Sequence, residues 1–178
     1  MHTLPDGTQI LIRPIQPTDK ARLSDALARL SQDSIRRRFL AAKPRLSSSE
    51  LRYLTEVDGR DHIALVAVLA DAPDSIAAVA RCVRIPTASA RGLVTASLAP
   101  DTAEFAIVVG DPLQGRGLGS LLARQLATAA RAAGIRRFSA TMAGENVAVR
   151  RLIAHFTETL EHEHVDRGVR EVVVRLAA

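Results

Sequence analysis

Apolar and polar residues alternate over 9–15 (QILIRPI), which predicts a first strand entered through the Asp6-Gly7 turn and stopped by Pro17. Thr18 or Asp19 then starts a helix that turns Ala26, Leu27 and Leu30 inward, and Asp33–Leu40 forms a second, short one. Ser47-Ser48-Ser49-Glu50 is a capping box, and it opens a third helix that runs to about Val57. The continuous apolar run 63–70 (IALVAVLA) turns at Ala72-Pro73-Asp74 and returns over 76–85, which predicts a hairpin. Residues 87–100 are small, rich in alanine and serine, and read as a long connection. A strand over 102–109 (TAEFAIVV) ends at Asp111-Pro112. Leu118, Leu121, Leu122, Leu126, Ala129 and Ala133 then recur at helical spacing up to a capping Gly134. Residues 135–142 make a further strand, parallel to 102–109 if the helix crosses over in the usual right-handed way. A last helix spans Asn146–Phe156, and residues 165–176 make a hairpin through Asp166-Arg167-Gly168. These elements imply one domain over residues 1–178, of α/β or α+β class, with a mixed sheet and helices on its faces.

Composition narrows the function classes. A hydrophobic fraction of 47% in 178 residues is enough for a sizeable core. No apolar run is long enough to span a membrane and the N-terminus is not a signal peptide, so the expected location is cytoplasmic, with no membrane partner. The single Cys82 excludes an internal disulfide and a cysteine metal cluster, and its apolar setting suggests an inert buried thiol. The formal charge of +5 comes almost wholly from arginine, including the Arg36-Arg37-Arg38 run. With no tryptophan and Tyr53 as the only tyrosine, stacking platforms for nucleic acid are scarce. Glu161-His162-Glu163-His164 lacks a metal-ligand spacing and reads as a solvated hairpin, so no metal is expected.

The candidate chemistry lies between the 102–109 strand and the long helix, in Gln114-Gly115-Arg116-Gly117-Leu118-Gly119. Three glycines at alternate positions free the backbone N–H groups of one short turn. A helix opened by such a turn binds anions, because its unpaired N–H groups and its dipole both favour negative charge. The following residue, Ser120, is preceded by no lysine, which excludes a P-loop; the spacing and the late position exclude a dinucleotide fingerprint.

Gln-x-x-Gly-x-Gly resembles the acyl-CoA pyrophosphate loop of the GNAT N-acetyltransferase superfamily. The resemblance extends from about Pro5 to Leu152. Leu11-Ile12-Arg13-Pro14-Ile15 with Asp19 is similar to the family's opening. Arg38-Phe39, Leu54-Thr55-Glu56-Val57-Asp58, Ala64-Leu65-Val66-Ala67 and Ala103-Glu104-Phe105-Ala106 are similar to the acetyltransferase domain of bacterial Pat-type protein lysine acetyltransferases. It implies a mixed, mostly antiparallel sheet with helices on both faces and a central β-α-β acyl-CoA core. It also implies a stand-alone catalytic domain, monomeric or homodimeric.

The resemblance further implies acetyl-CoA as cosubstrate and direct transfer to a primary amine. That amine is first of all a lysine of an acceptor protein; the alternatives are a small amine (amino sugar, polyamine or amino acid) and a non-catalytic acyl-CoA sensor. Backbone groups of Ile107, Val108 and Val109 would pair with the pantetheine arm, with an N–H near Val108 polarising the thioester. Gln114, Gly115, Arg116, Gly117, Leu118, Gly119 and Ser120 would hold the phosphates, with Arg124 as a further cation, and Asn146 would bond the pantetheine. Glu104 would be the general base. A free lysine titrates at about 10.4 and must lose its proton before attacking a thioester. Taken alone, Glu104 also reads as an edge-strand carboxylate facing water or an arginine, Asn146 as a helix N-cap and Arg116 as a solvated loop tip. Two features depart from the family: there is no tyrosine near the site, and Phe156-Thr157-Glu158 replaces its frequent Gly-Phe helix ending.

Overall fold

In the computed structural model, strand β5 (Thr102–Val109) stands near the middle of an eight-stranded sheet of order β1-β2-β3-β4-β5-β6-β8-β7. The structure describes residues 1–40, 45–86, 99–144 and 146–177. The strands are β1 (His2–Thr3), β2 (Gln9–Pro14), β3 (His62–Leu69), β4 (Ala72–Arg84), β5, β6 (Arg137–Ala143), β7 (Thr157–Asp166) and β8 (Val169–Leu176). All pairings are antiparallel except β5 with β6. Most of the long connection expected over 87–100 lies outside the described residues.

Strand alternation sorts side chains into two cores. On one face Val66, Val68, Ile76 and Val79 pack with Leu23 of α1 (Lys20–Ala28) and with Leu51 and Leu54 of α3 (Ser48–Thr55). On the other, Ala80, Cys82 and Phe105 pack with Leu118, Leu122 and Leu126 of α4 (Leu118–Ala132). Cys82 is fully buried, which pushes its thiol up to about 12 and leaves it inert at neutral pH. The expected capping box is present: Ser47 Oγ accepts from the Glu50 N–H and Glu50 accepts from the Ser47 N–H at 2.8 Å. At the start of α1, Arg13 grips the buried Asp19 in a bidentate pair at 2.6 and 2.8 Å, which holds that carboxyl down at about 2.

Two boundaries differ from the sequence expectation. The helix expected to end at Phe156 is α5 (Val147–Ala154); Phe156 instead turns into the core, 5.4 Å from Phe105 and 6.0 Å from Phe138 between ring centroids. The final hairpin is also longer, beginning at Thr157 rather than Val165. Beyond the first residue β7 is exposed throughout, so its hydrogen bonds to β8 hold it rather than an apolar face. Its turn residues Arg167 and Gly168 both have positive φ, as a two-residue primed turn requires.

Candidate active site

β5 and β6 pair only over Thr102↔Arg137, Ala103↔Phe138 and Glu104↔Ser139, although both strands continue beyond. Past Glu104 they separate, and one backbone edge of β5 is open. Which residues own that edge follows from the register with β4. Gly110 N–H donates to Ala77 O at 2.8 Å and Ile85 N–H to Thr102 O at 3.0 Å, so the even-numbered residues of β5 bond to β4. The odd-numbered residues therefore turn their N–H and C=O groups toward the gap. This corrects the expectation for Val108: its backbone groups face Val79, while those of Ile107 and Val109 face the gap. The side chain of Val108 still lines the groove that begins there.

The groove, of about 370 Å³, runs from the gap to the glycine turn. Gly115 (φ 75°) and Gly117 (φ 86°) are left-handed, and Gly117 is the N-cap of α4 with no side chain bonding to it. Among the described residues, no backbone N–H from Gly115 to Ser120 donates to a protein acceptor. The amides of Leu118 and Ser120 thus belong to an uncapped helix N-terminus. Gly119 serves packing: a Cβ there would lie 2.9 Å from Leu152 Cδ1 of α5.

Gln114 is a bracket rather than part of the turn's open surface. Its Nε2 donates to Val109 O and to Ser34 Oγ, each at 3.0 Å. Asp111 completes the bracket, accepting from Ser34 Oγ at 2.6 Å and from the Ser31 N–H at 2.8 Å. These bonds, with that of Ser34 foremost, hold the Asp111 carboxyl below its ordinary range. They fasten the N-terminus of α2 (Gln32–Phe39) to the end of β5, which brings Arg37 and Arg38 over the gap.

The remaining candidates divide. Asn146 is the N-cap of α5, its Oδ1 accepting from the Val149 N–H at 3.2 Å; it is buried and lines the groove, so its NH2 end is what it can present. Arg116 is paired with Asp6, outside the groove, and Arg124 lies exposed on α4. Glu104 is exposed rather than buried, and it lines a cleft of about 210 Å³ shared with Arg38, Ala106, Ile107 and Asn146. Tyr53 packs on His62 at 4.9 Å between ring centroids and lines neither groove nor cleft. Among the described residues no group of His, Cys, Asp and Glu is placed to hold a metal, and Glu161 of the last hairpin is paired with Arg137 and Arg175. Among the described residues no helix is long and apolar enough to cross a membrane.

A cluster unnoticed in the sequence lies behind Glu104. Arg81, in the middle of β4, is buried; its guanidinium donates to Leu54 O at 3.3 Å and lies 3.2 Å from His62 Nε2. Burial, with Arg38 adding to it, pulls the Arg81 guanidinium down to about 10; burial and Arg81 pull His62 down to about 4. Burial likewise lowers Arg38, with the charge of Glu104 opposing it. One signal was available: a lone charge inside the apolar run 76–83.

Comparison with known proteins fits this geometry. The model of the Acetyltransferase (GNAT) family matches residues 29–156. Acetyltransferase Pat of Mycolicibacterium smegmatis is 32% identical over 147 residues, which cover 83% of this chain and 40% of that protein; the chain thus spans well under half of that relative's length. The crystal structure of the GNAT domain of S. lividans PAT superposes with a TM-score of 0.84 at 30% identity, covering 98% of this chain and 95% of that one. YncA of Salmonella typhimurium, a putative acetyltransferase solved with its cofactor acetyl-CoA, shares the fold (TM-score 0.66, 19% identity, 94% and 92% covered). The chain belongs to the Acetyltransferase (GNAT) family.

Proposed function

We propose that this family member transfers an acetyl group from acetyl-CoA directly to a primary amine, and that the amine is a protein lysine. The acceptor class rests on the resemblance of the Arg38-Phe39 and Glu104-Phe105-Ala106 segments to Pat-type lysine acetyltransferases. One observation carries the chemistry: the open edge of β5 leads straight into an uncapped, glycine-opened helix N-terminus. An elongated ligand with amides at one end and phosphates at the other fits that sequence of donors.

Acetyl-CoA supplies the activated acyl group as a thioester. Ile107 C=O and Val109 N–H pair with the amides of its pantetheine arm as an added strand would. The N–H groups from Gly115 to Ser120 receive its diphosphate at the positive end of α4, and the Asn146 NH2 reaches the arm between them. Ile107 N–H, the gap-facing donor nearer to Glu104, polarises the thioester oxygen. Glu104 takes a proton from the ammonium of the acceptor, directly or through water. The amine nitrogen then bonds to the carbonyl carbon, the C–S bond breaks, and the thiolate leaves with that electron pair; the second proton shed by the nitrogen passes to the thiolate or to water.

The test is Glu104→Gln in the full chain. Acetyl-CoA affinity by calorimetry should stay within about twofold, and thiol release with an amine acceptor should fall by about 10²–10⁴. Unchanged turnover would remove Glu104 as the base. No heat on titrating acetyl-CoA into the wild-type protein would refute the whole assignment. Heat without thiol release, against panels of lysine proteins and small amines, would favour a sensor.

A further inference from the structure

Arg81 stands directly across from Ala106, and Glu104 across from Val83. The side chains of Arg81, Glu104, Ala106 and Val108 leave the sheet on the same face, so Arg81 and Glu104 are diagonal neighbours across the β4–β5 pair, about 7–8 Å apart. Between Arg81 and the helices above it is a cavity of about 60 Å³. Leu23, Leu27 and Ile76 give it apolar walls; Arg81 enters from below and Arg38 of α2 from above. The recorded partners of Arg81 are neutral: the Leu54 carbonyl and His62, which is uncharged at neutral pH. Two guanidiniums thus share a largely apolar space with no acid among the described residues of its walls.

The space has room for a small polar group such as a carboxylate. A guanidinium fork presents paired donors to that group, and in a desolvated site such bonds are strong. Arg38 also lines the groove and the cleft of Glu104, so a group held in the cavity is next to the reacting centre. Ala106, with only a methyl group, lines both the cavity and the cleft of Glu104.

We propose that this cavity is a carboxylate subsite of the transfer reaction, in which Arg81 and Arg38 fix an acidic group carried beside the reacting atoms. The proposal rests on the acetyl-transfer assignment above. The carboxylate can come from the acceptor, next to its amine, or from the far end of a dicarboxylic acyl chain; the chemistry recognised is the same.

Matched pairs tell the sources apart. In the acceptor arm, acetyl-CoA is used with lysine peptides flanked by Glu or by Gln, and with amino acids or their amides. In the acyl arm, one acceptor is used with succinyl-CoA or butyryl-CoA. One arm should show kcat/KM at least about tenfold higher for the carboxylate member. Arg81→Met should abolish that preference, and Arg81→Lys, which keeps the charge without the fork, should reduce it. Acetyl-CoA affinity within about twofold of wild type reports that each Arg81 variant is folded; if Arg81→Met fails that check, Arg81→Lys takes its place. Equal kcat/KM within every pair in the wild-type protein overturns the subsite while leaving acetyl transfer standing. A preference that survives in the folded Arg81 variants also overturns it. Absence of transfer with every substrate overturns the acetyl-transfer assignment and the subsite with it.

Discussion

Proline substitution at neighbouring positions of β5 separates the two backbone edges of the strand. Proline removes one N–H and projects its ring where the hydrogen had been. At Val108 the lost N–H is one that bonds Val79 across the β4–β5 ladder, and Val79 is 5% exposed. Leaving its carbonyl unpaired costs about 1–3 kcal/mol, and ring contact with β4 adds to that. At Ile107 the lost N–H faces the gap, so no ladder bond is broken; the stability cost is the trimmed side chain, about 1 kcal/mol. For a chain of this length each kcal/mol lowers Tm by about 2–4 °C, so Val108→Pro should melt clearly below Ile107→Pro. Binding should rank the other way. Ile107→Pro removes a donor worth about 0.5–1.5 kcal/mol and places a methylene in the gap, so acetyl-CoA affinity should fall at least about tenfold. Val108→Pro, measured where it is folded, should keep most of its affinity. Calorimetry with acetyl-CoA and thermal unfolding on the same samples give both rankings. If Ile107→Pro binds as tightly as wild type, the open edge of β5 is not where the cosubstrate lies.

Two further outcomes follow from single residues. Gly117→Ala should cost about 1–2 kcal/mol in chemical denaturation, because φ is 86° there and the nearest atom to an added Cβ is Pro5 Cδ at an ordinary 3.6 Å; the same twist should raise KM for acetyl-CoA. His62 titrates at about 4 in the fold against 6.5 in the free side chain, so the unfolded chain takes the proton first as pH falls. Its contribution, on the order of 2 kcal/mol, is complete above pH 6.5, drains away toward pH 4 and is constant below that. Denaturation curves at pH 8, 6 and 4.5 should show the loss, and His62→Gln should flatten it; an unchanged slope would mean that His62 is not buried beside Arg81.

What was legible in the sequence was local. The Ser47–Glu50 capping box, the β5 run, the helical spacing of Leu118, Leu122 and Leu126 and the Arg167-Gly168 turn each state their geometry within a few residues. β7 was only half visible because, Leu160 and Val165 apart, its residues are polar on both faces, so its existence as a ten-residue strand depends on pairing with β8. The Ser34–Asp111–Gln114 bracket joins positions about 80 apart and leaves no periodic trace. The Arg38–Arg81–His62 cluster likewise forms only when α2, β3 and β4 meet. Val108 shows a subtler limit. A period of two tells which face a side chain takes, but the direction of its N–H depends on the register with β4, which no pattern within β5 encodes.

β5 therefore has four exits, and each carries a different consequence. One edge holds the ladder to β4, so backbone changes at Val108 act on stability. The other edge opens on the gap, so on the proposed function backbone changes at Ile107 and Val109 should act on the cosubstrate. One face sends Phe105 into the α4 core, where lost volume is felt as lost packing. The other sends Glu104 to the cleft and Ala106 to the wall shared by the cleft and the arginine cavity, so enlarging Ala106 should fill space in both while leaving both edges intact. That separation is what allows a single strand to join a packed core, an open backbone edge and an exposed carboxylate within eight residues.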